Sequence, residues 1–106
     1  MYARVTELAG ISPADKADHL QHFEDDILPR AEEIPGMCGG MVLTGEDGHA
    51  IVITLWQDEP SLLDSREQAS VLRDLAFQRM NLTRPAVIRE YEVGVAHLNQ
   101  TVLAAV

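Results

Sequence analysis

The sequence has a single cysteine, few aromatic and basic residues, and no long apolar run. Cys38, being alone, excludes an intrachain disulfide and a cysteine-based zinc site. Lys and Arg number 8 against 17 Asp and Glu, which gives a formal net charge of −9 and a pI near 4.6. An acidic surface repels phosphates and argues against nucleic-acid binding. No segment approaches the roughly 18 apolar residues of a membrane-spanning helix. The N-terminus also lacks the charge pattern of a signal peptide, so we predict a cytoplasmic protein without membrane contact.

The length and composition are typical of one globular domain. The chain has 106 residues, of which 46% are hydrophobic and 24% charged, close to the average for folded domains. We expect residues 1–95 to form this domain. Residues 96–106 form a C-terminal extension that is apolar enough to dock on the domain or on a partner chain.

The segment from Met37 to Trp56 has the pattern of a β-hairpin. Its two arms, residues 41–44 and 50–56, are rich in β-branched residues, which favour strands. The four residues between the arms, Gly45-Glu46-Asp47-Gly48, supply the conformational freedom that a tight connection needs. The sequence therefore predicts two antiparallel strands here.

Two helices and two further strands flank the hairpin. Residues 2–9 and 86–95 alternate in polarity as strands do. Ser12-Pro13 opens a helix with a serine N-cap, and Pro29 within it predicts a kink or a short second piece over residues 30–34. A second helix opens after Asp58 with Glu59-Pro60 and ends before Arg84-Pro85.

The resulting order, β-α-β-β-α-β, is that of the ferredoxin-like split βαβ fold. In this α+β fold, right-handed crossovers place both helices on one face of a four-stranded antiparallel sheet. The third strand, residues 50–56, is apolar on both sides, so the face without helices also needs a cover. The simplest cover is a second copy of the chain, and we predict a homodimer.

Three local patterns carry a family resemblance over nearly the whole chain. They are Ile27-Leu28-Pro29, Ile34-Pro35-Gly36-Met37 followed by Gly39-Gly40, and the segment from Ile53 to Glu59. The chain resembles the antibiotic biosynthesis monooxygenase family of dimeric α+β barrel proteins. The resemblance implies that oxygen reacts with a small phenolic or quinol-like molecule in a pocket between helices and sheet, often without metal or flavin. We accordingly assign no cofactor.

Four residues are candidates for such chemistry. Trp56 matches a tryptophan that family members commonly have at the end of the third strand, and it could stack on an aromatic ring. Arg89 could stabilise an anionic oxygen, and Tyr91 or His97 could move a proton. Three of them also have a structural interpretation: Trp56 as an anchor of the core and dimer interface, Arg89 as the partner of Glu7 or Glu90, and His97 as a surface histidine.

Other interpretations remain open at this stage. Asp15, His19, His22 and Asp26 share one helical stripe with zinc or nickel ligand types, but the stripe points away from the apolar face. We interpret it as a solvated acidic surface rather than a metal site. The alternative to an oxygenase is a non-catalytic small-molecule-binding or assembly protein, and haem binding is a third, weaker hypothesis.

Overall fold

The computed structural model describes residues 1–99 and contains one four-stranded antiparallel sheet. The strands are β1 (Tyr2–Leu8), β2 (Met37–Thr44), β3 (Ala50–Trp56) and β4 (Val87–Glu92), in the spatial order β2-β3-β1-β4. Both central strands, β3 and β1, pair antiparallel with their neighbours. The predicted ferredoxin-like α+β fold is confirmed.

The hairpin of β2 and β3 is longer than its predicted first arm. Pairing extends from Thr44 opposite Ala50 back to Met37 opposite Trp56, with an irregularity between Met37 and Gly39. Cys38 lies at this bulge and is exposed. The intervening turn is closed by the Gly45 N–H, which donates to the His49 carbonyl at 2.9 Å.

The first helical layer contains a π turn that accommodates a proline. A 3₁₀ turn (Pro13–Asp15) leads into α1 (Lys16–His22), then a π segment (Phe23–Ile27), then α2 (Leu28–Glu32). Pro29 has no N–H, and its ring would clash with the carbonyl four residues earlier in a regular helix. In the π segment the Leu28 N–H instead donates to the Phe23 carbonyl, five residues back, and the wider turn relieves that clash. The predicted kink thus takes the form of a bulge before Pro29.

The second helical layer is divided at Ser65 into α3 (Glu59–Asp64) and α4 (Arg66–Met80). The Asp58 carboxylate caps α3 by accepting the Ser61 N–H at 2.9 Å. The Ser65 hydroxyl donates to the Leu62 carbonyl at 2.7 Å, so this carbonyl has a side-chain donor. The sequence pattern predicts one continuous helix, whereas the structure divides it at this buried serine, where the Leu62 carbonyl accepts from the Ser65 hydroxyl and from Arg4.

The close-packed core is small and lies at one end of the sheet. Ile34, Trp56 and Leu62 form its buried cluster, and Leu72 packs against them from α4. Helix α4 itself has no buried residue. Its apolar side therefore faces space that the side chains of the sheet do not fill.

The face of the sheet that carries no helix is also apolar. Strand alternation directs Val5, Ile51, Ile53 and Leu55 away from the helices, and none of them is fully buried. Around them lie the more exposed side chains of Met41, Leu43, Val87 and Tyr91. This surface, which we call the open face, is the one for which the sequence predicts a covering partner.

Within residues 1–99, no helix is long and apolar enough to cross a bilayer. The cytoplasmic location stays a prediction. After β4, the Val93 N–H donates to the Met1 carbonyl at 2.9 Å, and Val95 is then 94% exposed. The docking predicted for residues 96–106 falls largely on residues 100–106, which lie outside the described part of the chain.

We predict that Gly36→Ala destabilises the fold. Gly36 has φ +86°, and a Cβ atom there would overlap the side chain of Ser61. A left-handed backbone costs a residue with a Cβ about 1–2 kcal/mol, which corresponds to a loss of roughly 5–10 °C in Tm for a domain of this size. Thermal unfolding followed by circular dichroism measures the change. Gly94→Ala is the control, because a Cβ there meets nothing within 4 Å. Equal Tm values for the two variants would contradict the prediction.

Candidate functional site

A cavity of about 110 Å³ lies between the helices and the sheet. Its floor comes from β1, β2 and β3, and its roof from the π segment, α2 and α4. A second cavity of about 50 Å³ lies beside it and shares part of its lining, including Phe23, Ile27 and Met80. Most of the lining of the larger cavity is apolar: Leu8, Phe23, Ile27, Leu28, Ala31, Ile34, Val52, Ala69, Leu72, Ala76, Phe77 and Met80.

The polar lining of the larger cavity is dominated by Arg4, a β1 residue that is only 4% exposed. Its Nε and Nη2 atoms donate to Glu90 Oε2 at 3.2 and 2.9 Å. Its Nη1 donates to Ser65 Oγ at 3.1 Å, and Nη2 also donates to the Leu62 carbonyl at 2.9 Å. A buried charge is tolerated when it is paired and hydrogen-bonded in this way.

Trp56 links the core to the cavity. It is 1% exposed, belongs to the buried core cluster and lines the cavity. Its indole N–H donates to Thr54 Oγ1 at 3.0 Å, and the Arg4 guanidinium carbon lies 5.4 Å from the ring centroid. This is within the range of a cation–π contact, so the indole and the guanidinium fix each other's position.

The carboxylate of Glu90 is shared between two arginines. Arg66, at the start of α4, donates to Glu90 from the solvent side, and Arg4 donates to it from the interior. The hydrogen bond from Arg66 is the main cause that lowers the pKa of Glu90, and the bond from Arg4 adds to it. Glu90 is therefore an anion whose acceptor capacity is already engaged.

Arg73 of α4 is the second cationic residue in the lining, and it differs from Arg4 in having no partner. It is half-buried, and the described residues provide it with no hydrogen bond or ion pair. Burial lowers the pKa of Arg73, and the charge of Arg4 lowers it further. Arg73 thus places a positive charge without a direct partner beside an apolar cavity, while the charge of Arg4 is paired with Glu90.

Sequence reasoning missed the roles of Arg4, Ser65 and Arg73, although a signal existed for each arginine. Arg4 occupies an inward position of β1, and Arg73 follows Leu72 in the apolar stripe of α4. A charged residue in an otherwise apolar face is the informative exception to hydrophobic patterning. Ser65 gave no signal, since its importance depends on contacts with distant residues.

The structure does not bring the four predicted site residues together. Trp56 lines the cavity, whereas Arg89 and Tyr91 lie on the open face by strand alternation. Arg89 Nη1 is 3.7 Å from Glu7 Oε1, an ion pair that the sequence suggests as its structural role. His97 lies beyond β4 and is exposed. The catalytic roles of these residues stay predictions.

In the acidic and histidine stripe of the first helix, Asp26 contacts neighbouring side chains and the stripe forms no cluster of metal ligands. Asp26 lies 3.7 Å from the Nε2 of His22 and 3.0 Å from the Nε of Arg30. In the described part of the chain, no group of three His, Cys, Asp or Glu side chains is arranged to hold a metal ion.

Comparison with solved structures shows the class of fold. The chain has the fold of the antibiotic biosynthesis monooxygenases, as the sequence resemblance indicated. No protein-family model and no curated protein matches the sequence.

Three solved structures illustrate the likeness. One is a monooxygenase from the gene ActVA-Orf6 of Streptomyces coelicolor, in complex with nanaomycin D (TM-score 0.71, 16% identity, covering 92% of this chain and 91% of that one). Another is a candidate antibiotic biosynthesis monooxygenase from Deinococcus radiodurans (TM-score 0.65, 20% identity, covering 93% of this chain and 98% of that one). The third is a point mutant of SnoaB, a cofactor-independent oxygenase from Streptomyces nogalater (TM-score 0.64, 14% identity, covering 90% of this chain and 94% of that one). At such identities the likeness concerns the fold, and activity needs separate argument.

The shared carboxylate generates a prediction about pH. The folded-state pKa of Glu90 lies below the ordinary value of 4.5. The ionised carboxylate therefore stabilises the fold fully at pH values above 4.5. This stabilisation disappears as the pH falls through the folded-state pKa of Glu90. Glu90→Gln should lower the free energy of unfolding at pH 7 by about 2 kcal/mol, the scale of hydrogen bonds to charged groups. The difference from the wild type should shrink below about pH 4.5.

Urea unfolding between pH 7 and pH 3 measures this difference. Glu67→Gln, on the exposed first turn of α4, removes the same charge and serves as the control. A difference for Glu90→Gln that stays constant over this pH range, or that equals the difference for Glu67→Gln, would contradict the assignment.

Proposed function

We propose that this protein is a cofactor-independent monooxygenase that acts on a small phenolic or quinol-like molecule. The observation that carries the proposal is the apolar cavity between helices and sheet, with guanidinium groups in its lining. An ionised phenol is electron-rich enough to react with oxygen, and a cavity with little water protects the intermediates from side reactions.

The reaction can balance without an external reductant. In a simple case, a phenol and O₂ give a para-quinone and water. The ring carbon opposite the phenolic oxygen loses its hydrogen and becomes the second carbonyl, with one atom of O₂ as its oxygen. The other atom of O₂ leaves as water with that hydrogen and the phenolic proton. The phenol supplies all four electrons, so the protein's role is to bind, orient and stabilise charge.

Arg4 and Arg73 are the groups suited to stabilising the ionised oxygen. Positively charged donors fixed in a low-dielectric site stabilise developing negative charge more strongly than water does. Trp56 lines the cavity next to Arg4, and because it is only 1% exposed its suggested role is to hold the Arg4 guanidinium in place. These three residues replace Arg89 and Tyr91 as the first candidates for mutagenesis, because they line the cavity.

The homodimer predicted from the sequence is part of the proposal. The open face presents a continuous set of aliphatic side chains on β1, β2 and β3, and an exposed apolar surface of this kind marks an interaction site. A twofold axis would place the same face of two chains against each other.

A non-catalytic binding protein is the second candidate, and a specific observation favours it. The lining of the larger cavity contains no histidine, aspartate or glutamate, so the described residues provide no general base within the cavity. In this alternative the protein holds an aromatic ligand without transforming it. A role in assembly through the open face belongs to the same alternative.

Oxygen uptake distinguishes the two candidates. We expect the metal-stripped protein to consume oxygen with a panel of phenols, catechols and quinols, measured with an oxygen electrode against the uncatalysed background. Ala76→Phe, which fills the cavity, should reduce kcat/KM by roughly 10-fold or more, since a displacement of about 1 Å can cost about 100-fold. Leu75→Phe adds a ring at a position outside the lining and should leave the rate unchanged. Uptake at the background level across the panel would favour the binding protein.

The association state of the protein tests the proposal that the open face is a dimer interface. We expect the wild type to show a mass of twice the 11.7 kDa of one chain in light scattering coupled to size exclusion. Ile53→Glu, in the middle of that face, should produce monomers, because an unpaired charge at an apolar interface is strongly unfavourable. Leu63→Glu changes an exposed leucine on α3 and should leave the dimer intact. A monomeric wild type would contradict the proposed dimer.

A further inference from the structure

The charges near the cavity do not balance. Arg4 and Arg66 both engage Glu90, whereas Arg73 makes no direct hydrogen bond or ion pair among the described residues and is attracted only at longer range by the charges of Asp74 and Glu90. Three guanidinium groups thus lie near two carboxylates in a protein whose net charge is −9. Asp74, the acidic neighbour of Arg73 on α4, is exposed and does not line the cavity. The excess positive charge is therefore local to this region.

An unpartnered, half-buried guanidinium is unfavourable in the empty protein. Burial and the neighbouring charge of Arg4 both disfavour the charged form of Arg73 and so lower its pKa. Arginine nevertheless stays protonated in proteins. An anion bound within reach of Arg73 would relieve both the desolvation and the like-charge repulsion, and charge-assisted hydrogen bonds are the stronger kind.

The cavity selects a ligand that is already ionised when it arrives. Its lining offers cationic donors, the hydroxyl groups of Thr6 and Thr54, and no carboxylate or imidazole. The Thr54 hydroxyl already accepts the Trp56 indole N–H. No group in this lining is suited to removing a proton from a neutral phenol at pH 7. Lys16, His19 and His22 line only the adjoining smaller cavity.

The volume limits the size of the ligand. The larger cavity measures about 110 Å³, while an apolar cavity of about 150 Å³ in another protein holds benzene. One aromatic ring is therefore the largest rigid group that this cavity accommodates, with a small outward adjustment of its walls. A molecule of three fused rings requires the helices to move apart.

From the lack of a direct partner for Arg73, the lack of a base in the lining and the volume, we propose that the cavity binds a single-ring aromatic anion, a carboxylate or an acidic phenolate. In this arrangement the ionised oxygen accepts hydrogen bonds from the Arg73 guanidinium, and the ring lies among the apolar residues beneath α4. The inference deepens the proposed function and rests on it in taking this cavity as the ligand site. Arg73 determines the preference for an anionic over a neutral ligand. The guanidinium of Arg4 is already engaged in its contacts with Glu90 and Ser65.

The probe 4-nitrophenol tests this inference, because it has one ring, titrates near neutrality and absorbs visible light only as the phenolate. Its electron-poor ring makes it a reporter of binding and not a substrate. At a pH near the pKa of the probe, we expect the wild-type protein to increase the phenolate absorbance. Isothermal titration should show at least 10-fold weaker binding of the neutral analogue 4-nitroanisole, a difference of about 1.4 kcal/mol.

Arg73→Gln should weaken phenolate binding by at least 10-fold and abolish the absorbance increase, without lowering Tm, since Arg73 makes no direct hydrogen bond or ion pair in the described chain. Arg73→Lys should restore part of the binding. Arg79→Gln removes the same charge from an exposed position on the same helix and should bind the probe as the wild type does. An equal loss in Arg79→Gln would overturn the inference, because it would indicate only a long-range effect of net charge. Equal affinities for 4-nitrophenolate and 4-nitroanisole would also overturn it.

The outcomes separate this inference from the proposed oxygenase activity. Arg73-dependent phenolate binding without oxygen uptake on any phenol supports the anion site and contradicts the oxygenase. Oxygen uptake that is unchanged in Arg73→Gln, together with no preference for the phenolate probe, supports the oxygenase and overturns the anion site.

Discussion

The buried guanidinium of Arg4 is the interaction on which the arrangement of this protein depends. Through its hydrogen bonds to Glu90, Ser65 and the Leu62 carbonyl, it connects β1 to β4 and to the junction of α3 and α4. Its contact with Trp56 extends the connection to β3. A charge buried in this manner destabilises the protein strongly if one partner is removed. The same side chain therefore determines the packing of the elements and the electrostatic character of the cavity.

The two faces of the sheet differ physically although both are apolar. On the helical side, α4 contributes no fully buried residue, and the incomplete packing leaves the cavity. On the open side, the aliphatic side chains of Val5, Ile51, Ile53 and Leu55 form an extended surface, and its polar groups lie on β4 and the adjoining Glu7. Concave sites with a few polar groups suit small molecules, whereas an extended apolar surface suits another protein chain. The physical contrast between the faces supports one ligand site per chain and one shared interface.

The sequence predicted the fold well because the relevant signals are local. The β-branched run of β3, the turn at residues 45–48 and the helix opening after Asp58 depend on neighbouring residues, and the structure contains all three. The candidate site was harder, since it depends on contacts between distant residues. The pairing of Arg4 with Glu90 joins positions 86 residues apart. Trp56 was found because of its family position, while the face on which Arg89 and Tyr91 lie was fixed only by the register of β4.

The π segment before Pro29 has a consequence for comparing this chain with others of the same fold. A π turn contains one residue more than the α-helical turn it replaces, so it behaves as a single-residue insertion within a continuous helix. A relative with a regular helix at this point would align with a gap of one residue in residues 23–27, although no loop is present. Alignments that forbid gaps inside helices would shift every later position of α2 by one and place Ile27 or Ala31 on the wrong side of the helix.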